Sequence, residues 1–160
     1  MLRIVPVLSK ETLLQTRDLF HEYAAIPGVA PCVEDFEKEV ASLPGFYAPP
    51  AGRLLLALQE SRGSSGEAAA CVALRKLDQD TCEMKRLYVR PAFRGAGAGR
   101  ELVKVLIAEA RSIGYRRMLL DTLPSMKEAH KLYRTIGFRQ ISSYQKNPIP
   151  GALFFELPLS

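Results

Sequence analysis

The sequence predicts an α+β fold in which helices cover a mixed, mostly antiparallel sheet of about seven strands. Short apolar runs between turn residues have the length of strands, whereas longer segments repeat their apolar residues at helical spacing. In the first half of the chain, short turns join consecutive strands, which favours antiparallel pairing. In the second half, a strand, a helix and a strand follow each other, which predicts a right-handed crossover and a parallel pair.

The N-terminal part begins with a strand over 2–8 and continues with two helices. Apolar residues at helical spacing predict the first helix over 12–25, and Pro27-Gly28 ends it. A shorter helix is predicted over 34–43, where another Pro-Gly pair follows. These two helices therefore lie between the first strand and the rest of the sheet in chain order.

Three successive strands form the predicted antiparallel meander. They cover residues 53–59, 67–76 and 81–89. A Gly/Ser-rich stretch over 61–66 has the composition of a hairpin loop, and the short polar segment 78–80 has that of a turn. The meander brings the chain to the end of a strand at residue 89.

A glycine-rich loop over 94–100 follows the meander and opens a strongly amphipathic helix over 100–113, with Gly114 at its C-cap position. A second helix begins after Ser125, where Glu128 completes a predicted capping box, and ends at Gly137. Three strands flank this second helix, over 118–121, 138–141 and 153–157.

The bulk composition is that of one ordinary globular domain spanning 1–160. Hydrophobic residues make up 48% and charged residues 24% of the chain. The formal net charge of +5 is mildly basic, but no basic stripe with interleaved aromatic residues occurs, which disfavours a nucleic-acid partner.

The cysteines and the lengths of the apolar runs limit which cofactors and which cellular compartment we expect. Cys32, Cys71 and Cys82 are an odd number and form no Cys-x-x-Cys or Cys/His cluster, so we expect neither a disulfide framework nor a metal. The N-terminus lacks a signal-peptide pattern, and no apolar run approaches the length of a membrane span. We therefore expect a cytoplasmic protein without a membrane partner.

The glycine loop predicts a phosphate or pyrophosphate site. Glycines at alternate positions leave backbone N–H groups uncovered, the following helix adds a partial positive charge, and Arg94 and Arg100 add two full charges. A Walker loop is excluded because no Gly-Lys-Ser/Thr run follows. A Rossmann fingerprint fits poorly because Arg100 stands where the last glycine is required. The pattern that fits is Arg-x-x-Gly-x-Gly.

This loop resembles the acetyl-CoA pyrophosphate loop of the GNAT family of N-acetyltransferases. Two further segments resemble the family: Leu87-Tyr88-Val89 before Arg90-Pro91, and the stretch from Ala129 through Leu132-Tyr133 to Gly137-Phe138. The resemblance implies a GNAT-type α/β/α sandwich with a sheet splayed between its fourth and fifth strands. It also implies acetyl-CoA as cosubstrate and these cofactor-binding residues: Leu87, Tyr88, Val89, Arg94, Gly95, Ala96, Gly97, Ala98, Gly99 and Arg100.

The resemblance implies two catalytic residues, and each has a plainer alternative. Tyr133 would protonate the departing CoA thiolate, although a tyrosine packed beside Leu132 would look the same in sequence. Glu83 would be the general base, acting on the amine directly or through water. Alternatively, Glu83 is a solvent-facing strand residue paired with Lys85 or with a cation of the adjacent strand.

Other positions near these motifs carry weaker expectations. Met126 stands where many family members have an asparagine that contacts the cofactor. We interpret His130, one turn before Tyr133, as a surface histidine of the helix. The loop over 144–151 could close over the acceptor, although its proline pairs are also sufficient for a plain turn.

The function that this sequence favours is transfer of an acetyl group from acetyl-CoA to a primary amine of a small molecule or peptide. Attack would be direct, in a ternary complex. The rival is a CoA-binding sensor or interaction module without catalysis, which would keep the glycine loop and tolerate loss of the catalytic pair. A homodimer is common in the family, and the acceptor stays open.

Overall fold

The computed structural model describes residues 2–29, 33–61, 66–146 and 148–160. The described strands are β1 Leu2–Pro6, β2 Arg53–Gln59, β3 Glu67–Lys76, β4 Thr81–Val89, β5 Arg117–Thr122, β6 Arg139–Ile141 and β7 Leu153–Pro158. The described helices are α1 Lys10–Ala24, α2 Val33–Ala41, α3 Ala98–Ile113 and α4 Lys127–Ile136. Short 3₁₀ turns at Gly45–Tyr47 and Pro91–Phe93 precede β2 and the glycine loop.

The strands form one seven-stranded sheet in the order β1-β2-β3-β4-β5-β7-β6. Every described pairing is antiparallel except that of β4 with β5, which is parallel. The strand–helix–strand run β4-α3-β5 requires this parallel pair, because a crossover through a helix returns the chain in the same direction. The predicted mixed sheet is confirmed.

Two apolar layers cover the sheet, one on each face. Alternation along β2 divides its side chains, so that Leu54, Leu56 and Leu58 pack with α1 and α2, whereas Leu55 and Ala57 pack with α3. The layer on the α3 side also receives the Tyr133 ring from α4. The molecule is therefore the three-layer sandwich that the resemblance implies.

The sheet splays between β4 and β5, as the resemblance implies. The two strands pair only from Thr81 opposite Arg117 to Glu83 opposite Leu119. Beyond Glu83, a β-bulge places Arg86 and Leu87 opposite a single residue of β3, and Arg86 takes a left-handed φ of 61°. The second half of β4 is thus turned away from β5, and its backbone on that side has no ladder partner among the described strands.

Helix α4 begins differently from its prediction. Its N-cap is Met126 rather than Ser125, and no side chain caps it among the described residues. The Met126 N–H instead donates to the Leu123 carbonyl at 3.0 Å, so a backbone turn after β5 sets the start of the helix. The Ser125/Glu128 capping box is therefore wrong, while Gly137 ends the helix with φ of 121°, as predicted.

Candidate active site

A cavity of about 790 Å³ opens between the end of β4, the glycine loop and the first turns of α4. Every residue that the sequence predicts to bind the cofactor lines it, with the exception of Ala96. Met126 also lines it, at the position where the resemblance implies a cofactor contact, and the other lining residues are Tyr23, Ile26, Pro27, Phe93, Ser125, Lys127, Glu128, Ala129 and Leu132. The cavity is bounded by cationic groups of the loop and by apolar side chains of β4 and α4.

The glycine loop aims uncapped backbone donors at this cavity. Gly95 and Gly97 have φ of 86° and 84°, conformations that favour glycine, and a Cβ on either would meet no described atom within 4 Å. Gly97 is the N-cap of α3 and has no side chain to accept the N–H groups of the first turn. Together with the helix dipole, these donors form a site for an anion.

Unlike Gly95 and Gly97, Gly99 allows α3 to lie close to β4. A Cβ at Gly99 would lie 3.4 Å from Cγ2 of Val89 and 3.7 Å from Cδ2 of Leu132. Arg94 strengthens the same junction, since its Nε donates to the Val89 carbonyl at 3.0 Å. The first turn of α3 is therefore held against the end of the splayed strand.

A second cavity of about 250 Å³ continues from the first into the gap between β4 and β5. Tyr23, Leu87, Met126 and Ala129 line both cavities. The splay of the sheet opens this space, and residues 145, 149 and 152 of the loop after β6 also line it. Two ligands bound in the two cavities would therefore meet at the wall that the cavities share.

Tyr133 is a buried residue that lines the second cavity. The side chain is only 5% exposed, and its ring packs 5.6 Å from that of Phe138 and 5.9 Å from that of Phe155. No described group hydrogen-bonds its hydroxyl. Burial raises the pKa of Tyr133 above the ordinary 10.0, with smaller contributions from Tyr23 and Asp121, so the phenol is protonated at neutral pH. A protonated hydroxyl without an internal partner can donate to a ligand in the cavity.

Glu83 is fully buried and lies behind the cavity wall rather than on it. Its Oε1 accepts from Nε of Arg75 at 2.7 Å, and its Oε2 accepts from the Tyr144 hydroxyl at 2.6 Å. Lys85 Nζ lies 3.9 Å from Oε1. The carboxylate is thus paired with a cation of the adjacent strand, and of its described partners Lys85 is the one that also lines the second cavity.

Asp121 is the carboxylate on the wall of the second cavity. It follows the residues of β5 that pair with β4, and its Oδ1 lies 3.7 Å from Nζ of Lys85. Sequence reasoning missed Asp121 and Arg86, because only the splay and the bulge bring them to the same cavity. Residues 145 and 149 of the loop over 144–151 line the second cavity, and Asn147 lies outside the described residues.

His130 does not lie on the surface, so that interpretation is wrong. It is 5% exposed, its Nε2 donates to the Leu123 carbonyl at 3.0 Å, and its ring lies 5.9 Å from that of Phe155. Burial lowers the pKa of His130, which keeps the imidazole neutral. Its hydrogen bond ties α4 to the end of β5 and so fixes the wall on which Met126 and Ala129 lie.

The part of the chain that the structure describes contains no cluster of His, Cys, Asp and Glu that could hold a metal ion. Within the same residues, every helix is too short or too polar to cross a bilayer.

Comparisons with known proteins agree with this architecture. A family model described as the acetyltransferase (GNAT) family matches residues 15–138. An uncharacterized N-acetyltransferase of Schizosaccharomyces pombe is 38% identical over 143 residues, which are 89% of this chain and 85% of that protein. An N-acetylaspartate synthetase of Danio rerio is 29% identical over 76% of this chain, and the match spans 45% of that protein.

A solved structure with the same fold comes from Salmonella typhimurium and contains its cofactor acetyl-CoA. It superposes with a TM-score of 0.71 over 100% of this chain and 95% of that one, at 16% sequence identity. At this identity the likeness extends to the fold.

Proposed function

The chain belongs to the GNAT family and is an acyl-CoA-dependent acetyltransferase, and from this premise we propose that it acetylates a primary amine of a small molecule or peptide. The observation that carries the proposal is the pair of adjoining cavities. One includes the uncapped first turn of α3 in its lining, and the other is lined by charged side chains and by Tyr133. The name of the Danio rerio relative, an N-acetylaspartate synthetase, supports a small acceptor.

The first cavity fits acetyl-CoA by its chemistry. The first-turn N–H groups of α3, with Arg94 and Arg100, would hold its phosphates. The unpaired backbone of β4 around Leu87 and Val89 would hydrogen-bond the amides of its pantetheine arm. Bound in this way, acetyl-CoA supplies a thioester carbon, and the bulged segment of β4 supplies backbone dipoles for the oxyanion that forms on attack.

The amine attacks directly, without an acetylated enzyme. The shared wall lets both substrates be bound at once, which a ternary complex requires. Cys71 and Cys82 are unsuited to carry the acetyl group, because both are buried and desolvation raises the pKa of each thiol to about 12. Tyr133 donates its proton to the departing sulfur.

Glu83 acts as the base through a proton relay rather than on the amine itself. Tyr144 belongs to the loop after β6, and its hydroxyl is already hydrogen-bonded to Glu83 at 2.6 Å. The carboxylate can accept a proton only if this hydroxyl, Lys85 or a water relays it from the cavity. Cytoplasmic location and a homodimer stay predictions from the sequence.

Glu83→Gln should lower kcat by about 10- to 100-fold, because an amide cannot accept the proton at the end of the relay. Arg75→Gln is the matched control, since it breaks the same ion pair and leaves the carboxylate. Both variants should lose about 1–2 kcal/mol of unfolding free energy, because the Arg75 side chain is part exposed. Steady-state kinetics and thermal unfolding measure the two effects. Equal losses of kcat in the two variants would reduce Glu83 to a structural ion pair.

The proposed function itself is tested by following CoA thiol release with a panel of primary amines and identifying the acetylated amine by mass spectrometry. We expect thiol release that depends on the amine and matches the amount of N-acetylated product. Saturable acetyl-CoA binding without any amine-dependent release would instead favour a CoA-binding module.

A further inference from the structure

The second cavity carries charges of both signs on opposite strands. Lys85 and Arg86 lie on β4 and Asp121 on β5, and all three line the cavity. Their side chains are largely shielded from solvent, with exposed fractions of 17%, 12% and 24%. Charges held in a shielded pocket are costly unless they serve the fold or a ligand.

Arg86 is held in a fixed orientation that leaves part of its guanidinium for a ligand. Its Nε and Nη2 each donate to the Glu39 carboxylate at 2.9 Å. The rings of Tyr23 and Phe36 lie 5.6 and 5.5 Å from its Cζ. Among the described residues, Glu39 is the carboxylate that pairs with Arg86, and it takes only one edge of the guanidinium. A preorganised guanidinium suits a planar carboxylate.

The backbone supports the same conclusion, because Arg86 is the described non-glycine residue with a positive φ, 61°. This conformation costs about 1 kcal/mol or more for an L-residue. Glycine would relieve it but would remove the guanidinium. The bulge thus directs a cation toward the acceptor cavity at the point where β4 leaves β5.

The charges around the cavity balance. Three cations, Arg75, Lys85 and Arg86, face three carboxylates, Glu39, Glu83 and Asp121, in the ion pairs already described. A cluster whose charges balance favours a ligand that also carries both charges without a net charge. A polyamine would bring uncompensated positive charge into it.

We propose that the acceptor is a compact amine that carries its own carboxylate, of the α-amino acid class, with the carboxylate bound by Arg86 and Lys85 and the amine directed toward Asp121. The inference rests on the proposed function and names its substrate class. The cavity volume of about 250 Å³ suits a small molecule. The internal residues of a peptide or protein lack the free carboxylate that the two cations would bind.

The test compares matched acceptors with the wild-type enzyme and acetyl-CoA: proteinogenic amino acids, their α-amides and their decarboxylated amines. We expect kcat/KM for at least one amino acid to exceed that of its amide and its amine by about 10- to 100-fold. If amides or simple amines are acetylated as well as the acids, the inference fails and the proposed function stands. If acetyl-CoA binds and none of these compounds is acetylated while other amines or peptides are, the inference fails and the proposed function stands; if no amine of any class is acetylated, both fail.

Arg86→Gln tests the assignment to this residue. The preference for acid over amide should fall about 10- to 100-fold, mainly through KM of the acid. Lys104→Gln, the same change of charge at an exposed site of α3, should keep the preference. Calorimetry with acetyl-CoA reports whether the variant is folded, and Lys85→Gln provides a second variant with the same expected direction. If kcat/KM fell equally for the acid and for its amide in both variants, the proposal would be overturned.

Discussion

Tyr133→Phe should lower kcat by about 10²–10⁴-fold and leave the affinity for acetyl-CoA nearly unchanged. The hydroxyl is the proposed donor to the CoA sulfur, and the ring keeps its packing against Phe138 and Phe155 without it. Because no described group hydrogen-bonds this hydroxyl, its removal should cost little stability. Steady-state kinetics, calorimetric binding and thermal unfolding measure the three quantities.

Tyr115→Phe is the matched control, because it removes another buried hydroxyl far from the site. The Tyr115 hydroxyl donates to the Ala51 carbonyl at 2.8 Å, so this variant should lose about 1 kcal/mol of unfolding free energy and keep its turnover. Tyr133→Phe should show the opposite pattern. Unchanged turnover in Tyr133→Phe would remove the residue from the mechanism and leave it a packing tyrosine.

The pH profile of kcat offers a check on the same residue. Burial raises the pKa of Tyr133, so the phenol stays protonated from neutral pH to beyond its ordinary pKa of 10.0. The acid form that donates the proton is therefore not lost in this range. We expect no decline of kcat on the alkaline side below about pH 10 that depends on Tyr133.

Gly97→Glu should weaken acetyl-CoA binding by about 100-fold or more in a calorimetric titration. The N-cap of α3 is open, so a side chain there extends into the cavity where the phosphates would bind. A carboxylate near a diphosphate costs about 3 kcal/mol or more at the effective dielectric constant of a protein surface. That cost corresponds to roughly 100-fold in affinity.

Gly97→Ala separates this charge effect from backbone strain. Both variants place an L-side chain at φ of 84°, which costs about 1–2 kcal/mol in each. The alanine has room, since no described atom lies within 4 Å of the added Cβ. Alanine should therefore keep most of the affinity that glutamate loses. Equal affinities in the glutamate variant and the wild type would mean that the phosphates bind elsewhere.

The sequence predicts those parts of the fold that short-range patterns determine. The bounds of β2, β3 and β4 agree with the predicted ranges, because alternation and turn residues act over a few positions. The parallel pair follows from the strand–helix–strand order. The glycine loop could also be predicted from a short-range pattern, because the spacing of its glycines alone implies free backbone N–H donors before a helix.

The second cavity could not be predicted from the sequence, because it depends on contacts between distant segments. No turn residue near Arg86 indicates the β-bulge in the sequence. The carboxylate that pairs with this arginine belongs to Glu39, which lies on α2. Tyr144 reaches Glu83 across 61 positions of sequence. From the sequence, His130 is predicted to lie on the surface of α4, but in the structure its ring packs against Phe155. In each case tertiary packing assigns the residue a position that local pattern does not encode.

Transfer of an isotope-labelled acetyl group tests the central claim most directly. The enzyme would be mixed with labelled acetyl-CoA, first alone and then with an amine, and both the intact protein and the small molecules would be examined by mass spectrometry. The account predicts an unmodified protein in both mixtures and a labelled N-acetyl amine, with one free CoA for each product, in the second. A labelled protein that later passes its acetyl group to the amine would contradict direct transfer in a ternary complex.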